Sequence, residues 1–159
     1  MIRQCQLDDT ERIYFIINEA ARAYEGVIPA DRYHQPYMSR EELEREMKRM
    51  TFTGWAADEK LVAVMGLEPV KDVTLIRHAY VLPDWQQRGI GSKLLDHLMT
   101  LVTTRRLLVG TWAAASWAIR FYQKHGFDLL PDMEELLRTY WDIPERQIET
   151  SVVLGIDIT

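Results

Sequence analysis

The chain predicts a mixed α/β fold, of the α+β kind, on three observations. Strand-like runs crowd together between Thr53 and Leu82, whereas helical spacing dominates on either side. Helices and strands mix without the strict alternation of a parallel βαβ protein. The 159 residues, 47% hydrophobic and 27% charged, suffice for one substantial core and not for two comfortable ones, so residues 1–159 are expected to form a single domain.

Each element has a local reason. "MIRQCQL" alternates apolar and polar residues as a first strand does. The aspartates of "DDTERIYFIINEAARAY" suit a helix start, with Glu11 three residues beyond Asp8; Ile13, Ile16, Ile17, Ala20 and Tyr24 then follow at helical spacing. "GVIPADRYHQPYM", residues 26–38, has two prolines among aromatic and polar side chains and is expected to be an ordered loop or short turns. Ser39 with Glu42 forms a capping box, after which Leu43, Met47 and Met50 recur on one helix face. "TGWAAD", "LVAVMGLEP" and "VTLIRHAYVL", separated by "EK" and "KD", read as an antiparallel meander.

A helix follows with Leu94, Leu95, Leu98, Leu101 and Val102 inward and Asp96, Thr100 and Thr103 outward. "LLVGTW" is a buried strand. "AAASWAIRFYQKHGF" is a helix stopped by Gly126, with Phe127 placed for the apolar contact of a left-handed cap. Pro131 opens a short helix containing Met133, Leu136, Leu137 and Tyr140. The last strand, "IETSVVLGIDI", sets Ile148, Thr150, Val152, Leu154 and Ile156 on one face.

Composition excludes several roles. A formal net charge of -5 argues against nucleic acid as a partner. The single cysteine, Cys5, makes neither a disulfide framework nor a multi-cysteine metal site, which suits a reducing cytoplasm; buried filler is its expected role. No secretory signal and no apolar run of about 18–20 residues is present, so neither export nor a membrane is expected. Four dispersed histidines lack ligand spacing, and no metal is expected. His97 falls on an outer helix face and His125 at a helix end, where its charge complements the dipole. The final strand and the methionine-containing helix are candidates for a homodimer contact.

The informative stretch is "YVLPDWQQRGIGSKLLDHL", residues 80–98, where a strand hands over to a helix through two glycines. Backbone N–H groups there can converge on an anion, helped by the first helical turn. Spacing alone leaves a phosphate site and a plain turn both open. A P-loop needs Gly-Lys-Ser/Thr, whereas the order here is "GSK"; a dinucleotide fingerprint needs a third glycine where Leu94 stands.

What remains is Q-x-x-G-x-G, Gln86 to Gly91, after a strand ending "YVLP" and before "AIRFYQKHGF". In these motifs, over residues 73–127, the chain resembles the GNAT superfamily of N-acetyltransferases. The resemblance implies a GNAT-like fold: a central, mostly antiparallel sheet, splayed between strands 4 and 5, with helices on both faces. It implies acetyl-CoA as co-substrate, its pyrophosphate on the loop Gln86, Gln87, Arg88, Gly89, Ile90, Gly91, Ser92 and Lys93, and its pantetheine arm paired with main chain at Ala79 and Val81. It also implies transfer to a primary amine, on a small molecule or peptide, with Tyr122 as general acid to the departing thiolate. Many relatives carry asparagine where Ala115 stands here, which leaves room for an inactive acyl-CoA-binding sensor as the alternative.

The base is less marked. Counting back from Val81 by twos gives Ala79, Arg77 and Leu75, none of them basic catalysts, and His78 has the opposite parity unless a bulge shifts the register. Glu68, at the neighbouring strand's end, is the candidate base, with a solvated strand-end carboxylate as the other reading. Tyr24, Tyr33, His34 and Tyr37 surround the loop that overhangs the acceptor site in GNAT proteins, where pocket and packing are both open. Trp112 and Trp117 flank the start of the helix bearing Tyr122, as buried tryptophans or as lining.

Overall fold

The computed structural model describes residues 1–158. Seven strands, β1 (Ile2–Gln4), β2 (Thr51–Ala57), β3 (Lys60–Val70), β4 (Val73–Val81), β5 (Arg106–Trp112), β6 (Asp128–Leu129) and β7 (Ser151–Asp157), form one sheet. Their order is β1-β2-β3-β4-β5-β7-β6, and every neighbouring pair is antiparallel except β4 and β5. The helices are α1 (Thr10–Ala20), α2 (Arg40–Arg49), α3 (Ile90–Leu101), α4 (Ser116–Lys124), α5 (Met133–Tyr140) and α6 (Glu145–Glu149).

The expected meander is β2–β3–β4. Its connections are so short that Asp58, Glu59 and Lys71 adopt φ of 51°, 68° and 54°, a region unfavourable to residues with a Cβ. Side-chain alternation then covers both sheet faces. Val73, Leu75, Leu108 and Val153 pack with Leu136 and Leu137 of α5, while Ile76, Leu107, Val109 and Leu154 join the larger core with α1 and α3. Among the described residues no helix is long and apolar enough to cross a membrane.

Local chemistry moves four boundaries from their expected places. Asp9, not Asp8, does the capping: it accepts from the Gln6 N–H at 2.7 Å within a helical turn, Leu7–Asp9, and pairs with Arg3, so α1 begins at Thr10. Tyr24 ends a further turn, Ala21–Tyr24, beyond α1. Leu101 is 48% exposed and Val102 has already left α3, so that helix buries only Ile90, Leu94, Leu95 and Leu98. Ile148 and Thr150 belong to α6 and its end, because the hydroxyls of Thr150 and Ser151 turn back onto the carbonyls of Arg146 and Gln147. The Ser39 cap holds as expected, accepting from the Glu42 N–H at 3.1 Å, and Gly126 ends α4 with φ 92° beside buried Phe127.

Glu59 is exposed and pays for its left-handed backbone with no contact in return, so Glu59→Gly is expected to raise stability by roughly 1 kcal/mol. Urea denaturation at equilibrium measures it; a loss of stability would contradict the strained-turn assignment.

Candidate active site at the splay of the sheet

β4 and β5 pair only over Val73–Ile76 against Arg106–Val109. Past Ile76, β4 stays with β3 and β5 stays with β7, so a wedge opens between two strands that began as neighbours. The β3–β4 register also slips between Val64 and Gly66: Gly66 faces Arg77 and Val64 faces Tyr80, so His78 and Ala79 together oppose one residue. His78 absorbs this bulge with φ 54°. Leu82 N–H bonds back to Val62, and alternation turns the main chain of Val81 away from β3, toward the wedge.

Two cavities meet in the wedge. The larger, about 660 Å³, runs from Gln86, Gln87, Gly89 and Gly91 past Phe121 to Tyr122. The other, about 410 Å³, lies between α2, the 26–38 loop and the open ends of β4 and β5. They share Tyr24, Ala79, Tyr80, Ala118 and Tyr122.

At the glycine loop, Gln87 and Gly89 take φ of 62° and 80°, and among the described residues the N–H groups of Gln87 through Ser92 have no main-chain partner; the first helical bond is Lys93 N–H to the Gly89 carbonyl. That concave run of donors, opening a twelve-residue helix, is an anion cradle. A Cβ on Gly91 would meet the Phe121 ring at 3.5 Å, so α3 and α4 close on each other here.

The loop's side chains behave differently from its amides. Gln86 is committed to shaping the turn, its Nε2 donating to the Val81 carbonyl at 3.0 Å. The Ser92 hydroxyl shares a 2.9 Å bond with His125 Nε2. Arg88 and Lys93 lie over the rings of Trp85 and Trp55 and line neither cavity.

Tyr122 is buried on both cavity walls, and burial, with Tyr24 adding to it, pushes its phenol well above the ordinary range. Tyr24, Tyr37 and Tyr80 crowd beside it with ring centroids 5.2 Å and 6.4 Å from Tyr24, and burial raises each of their pKa values as well. All four stay protonated near neutrality. Trp112 is buried and its Nε1 donates to the Tyr37 hydroxyl at 2.9 Å, tying the overhanging loop to β5; Trp117 is 42% exposed and stacks on Tyr24.

Of the expected acceptor residues, Tyr24, His34 and Tyr37 line the smaller cavity, whereas Tyr33 stacks behind Tyr37 and lines neither. Glu68 departs from its expected setting. It is only 6% exposed rather than solvated, absent from both cavity walls, and its oxygens accept from Arg77 and Arg49 at 3.0 Å each. Each of its oxygens is engaged by a guanidinium group, which makes it a brace for Arg49 and Arg77. Ala115 is fully buried, with no side-chain cap at the start of α4.

Two residues on the cavity wall had no place in the expected site. Glu46, 5% exposed, accepts from His78 Nε2 at 3.1 Å and from Arg77 at 3.4 Å. Burial alone would raise its pKa, but the His78 hydrogen bond and the charges of His78, Arg77 and Arg49 outweigh burial and hold it below the usual value. Burial lowers that of His78, Arg77 adding to it and Glu46 opposing, so the imidazole takes up its proton only below its ordinary value, and the His78 charge that acts on Glu46 belongs to that acid range. With Nε2–H pointing at Glu46, its Nδ1 is left as the acceptor. The signal for Glu46 was present in the helical spacing: it stands three residues after Leu43 and four before Met50, a carboxylate on the apolar stripe of α2.

An anion cradle thus joins through a splayed sheet to a second, polar cavity, with a buried tyrosine between them, the layout that the resemblance to the GNAT superfamily implies for an acyl-CoA-dependent transferase. The comparisons specify it further. Residues 51–129 match the acetyltransferase (GNAT) domain family. Over 107 residues, 65% of this chain and 68% of the relative, the sequence is 28% identical to the ribosomal protein bS18 alanine N-acetyltransferase of Salmonella typhimurium. The fold is similar to that of the PaiA N-acetyltransferase of Thermoplasma acidophilum in complex with coenzyme A (TM-score 0.77, 19% identity, 99% of this chain and 98% of that one). It is also similar to a GNAT-family acetyltransferase of Staphylococcus aureus (TM-score 0.79, 15% identity, 100% and 99%). Residues 51–129 thus carry a GNAT acetyltransferase domain, and the chain transfers an acetyl group from acetyl-CoA to an amine.

Two outcomes follow. Gly89→Ala places a Cβ at φ 80° with open space around it, so the penalty is conformational: about 1 kcal/mol of stability and a higher KM for acetyl-CoA, measurable by urea denaturation and steady-state kinetics. Cys5 is buried and its thiol is pushed from 9.0 up to about 12, chiefly by burial. The native protein is expected to leave it unmodified by a thiol reagent at pH 8. Because the folded form holds that proton more tightly, its contribution to stability is complete below pH 9 and declines as pH rises toward 12.

Proposed function

We propose that the acetyl group passes directly from acetyl-CoA, seated in the glycine-loop cavity, to an amine seated in the smaller one, with Tyr122 as acid and His78 as base. The observation that carries this reading is the run of unspent N–H groups, Gln87 to Ser92, at one end of a cavity that ends on Tyr122. Those amides suit the diphosphate, and the main chain of Val81, turned away from β3, with that of Ala79 in the adjoining bulge suits the pantetheine arm, although Gln86 already takes one lone pair of the Val81 carbonyl.

His78 Nδ1 takes a proton from the substrate ammonium, and Glu46 stabilises the resulting imidazolium through Nε2. The freed nitrogen lone pair forms the C–N bond, and the tetrahedral oxyanion collapses with breakage of the C–S bond. Tyr122 donates its proton to the thiolate and is restored by the nitrogen's remaining surplus proton. One thioester and one ammonium yield one amide, one thiol and one proton. The lowered pKa of His78 and the raised one of Tyr122 leave each in the required form at neutral pH. A cytoplasmic setting fits an enzyme that consumes acetyl-CoA and carries one free buried cysteine.

Thermal melting and release of coenzyme A thiol test this together. Acetyl-CoA at about 100 times its Kd is expected to stabilise the fold by roughly 2.7 kcal/mol. Tyr122→Phe is expected to keep that shift and lose roughly 10²-fold or more in kcat; an unchanged kcat removes Tyr122 from the chemistry. In wild type, kcat/KM is expected to fall as pH drops and His78 gains its proton, with the inflection below 6.5. His78→Gln, slower throughout, is expected to lose that acid limb.

A further inference from the structure

The acceptor cavity contains two unmet polar atoms of opposite character. Among the described residues, the buried side-chain polar atoms without a hydrogen-bond partner are Glu46 Oε2 and Arg32 Nε, and both residues line this one cavity. Glu46 Oε1 is used by His78 and Arg77, but Oε2 has only Arg49, 3.6 Å away and beyond hydrogen-bond reach. Arg32 ends the helical turn Ala30–Arg32 in the overhanging loop. Its neighbour Asp31 is taken by Arg146, and no carboxylate among the described residues pairs with the Arg32 guanidinium.

A buried polar atom left without a partner is costly, so native proteins rarely keep one without a use. The charge balance points the same way. Three guanidinium groups, Arg32, Arg49 and Arg77, and three carboxylates, Glu42, Glu46 and Asp142, line the cavity, so apart from its two histidines, His34 and His78, the formal charges cancel. A polycationic acceptor needs an acidic excess that is missing here, and a plain alkylamine leaves Arg32 unmet. The amino terminus of a polypeptide brings an uncharged amide to the place where Arg32 calls for an anion.

We propose that the acceptor is an aminocarboxylic acid, its ammonium held by Glu46 Oε2 beside His78 and its carboxylate by Arg32. This assignment rests on acetyl transfer at the site described above. A cavity of about 410 Å³ has room for such a molecule, and a guanidinium–carboxylate contact selects for the acid over its amide because only the acid returns the charge.

The test is thiol release from acetyl-CoA by the full chain, with a panel of free α- and ω-amino acids. Each is run beside its own carboxamide, with alkylamines and carboxyl-amidated tripeptides as further arms. At least one free acid is expected to exceed its carboxamide by roughly 10-fold or more in kcat/KM. Arg32→Gln is expected to raise KM for that acid by about 10-fold while moving the carboxamide by about 2-fold or less, erasing the preference. Equal or better use of a carboxamide, alkylamine or peptide overturns the assignment, as does a preference that survives in Arg32→Gln, or no release with any free acid. The acetyl-CoA melting shift on the same sample separates the two levels. A shift without use of the acids removes only the acceptor assignment, and no shift removes the transferase reading beneath it.

Discussion

The site depends on a row of main-chain groups that β4 withholds from β5. Four paired residues, Val73 to Ile76, bring the strands together as parallel neighbours; beyond them each strand keeps its other partner and the ladder between them ends. Backbone N–H and C=O groups in a sheet interior normally have partners, so an unpaired inner edge persists only if something keeps it open and something else is to fill it. Side chains keep it open. Tyr122 enters from α4, the Tyr24–Tyr37–Tyr80 cluster fills the middle, and the ring of Trp141 stands within 3.2–3.5 Å of where a Cβ on Gly110 would lie. The bulge at His78 belongs to the same device, since the extra residue ends regular pairing just where the wedge begins.

Buried charge on the acceptor side follows a comparable logic. Glu46, Glu68, Arg77 and Arg49 form a net-neutral quartet, and its members hold one another in place. Such a cluster adds little to stability, because desolvation consumes most of the attraction. Its effect is geometric. Glu68 fixes both guanidinium groups from behind, Arg77 then holds Glu46, and Glu46 orients the imidazole through Nε2. Of the four carboxylate oxygens, Glu46 Oε2 is the one left without a hydrogen bond.

The glycine turn with its free amides was legible in the sequence because its geometry is local. Gln86 to Gly91 form one turn, and the glycine demand at residue 89 comes from a single positive φ. Tyr122 could be placed from the motif around it. The acceptor half draws its groups from α2, the 26–38 loop, β4 and the ends of β5 and β7, brought together only by tertiary packing. Strand parity sent His78 the wrong way, because a bulge is a two-strand property that one strand's alternation does not reveal. Glu68 looked free for the same reason: its two guanidinium partners lie 19 residues before it and 9 after it. The meander, the Ser39 cap and the Gly126 stop, each set by a few adjacent residues, came through; α6 and β6, short elements stabilised by their neighbours, did not.

The two cavities are otherwise separately walled and touch only across Tyr24, Ala79, Tyr80, Ala118 and Tyr122. Neither reactant needs to pass through the other's compartment to reach the junction. Such a partition favours a ternary complex over a covalent relay, since the acyl donor can wait in its own half until an acceptor arrives from the opposite one. On the proposed seating, variation in the acceptor wall can alter what is modified without disturbing how the donor is held.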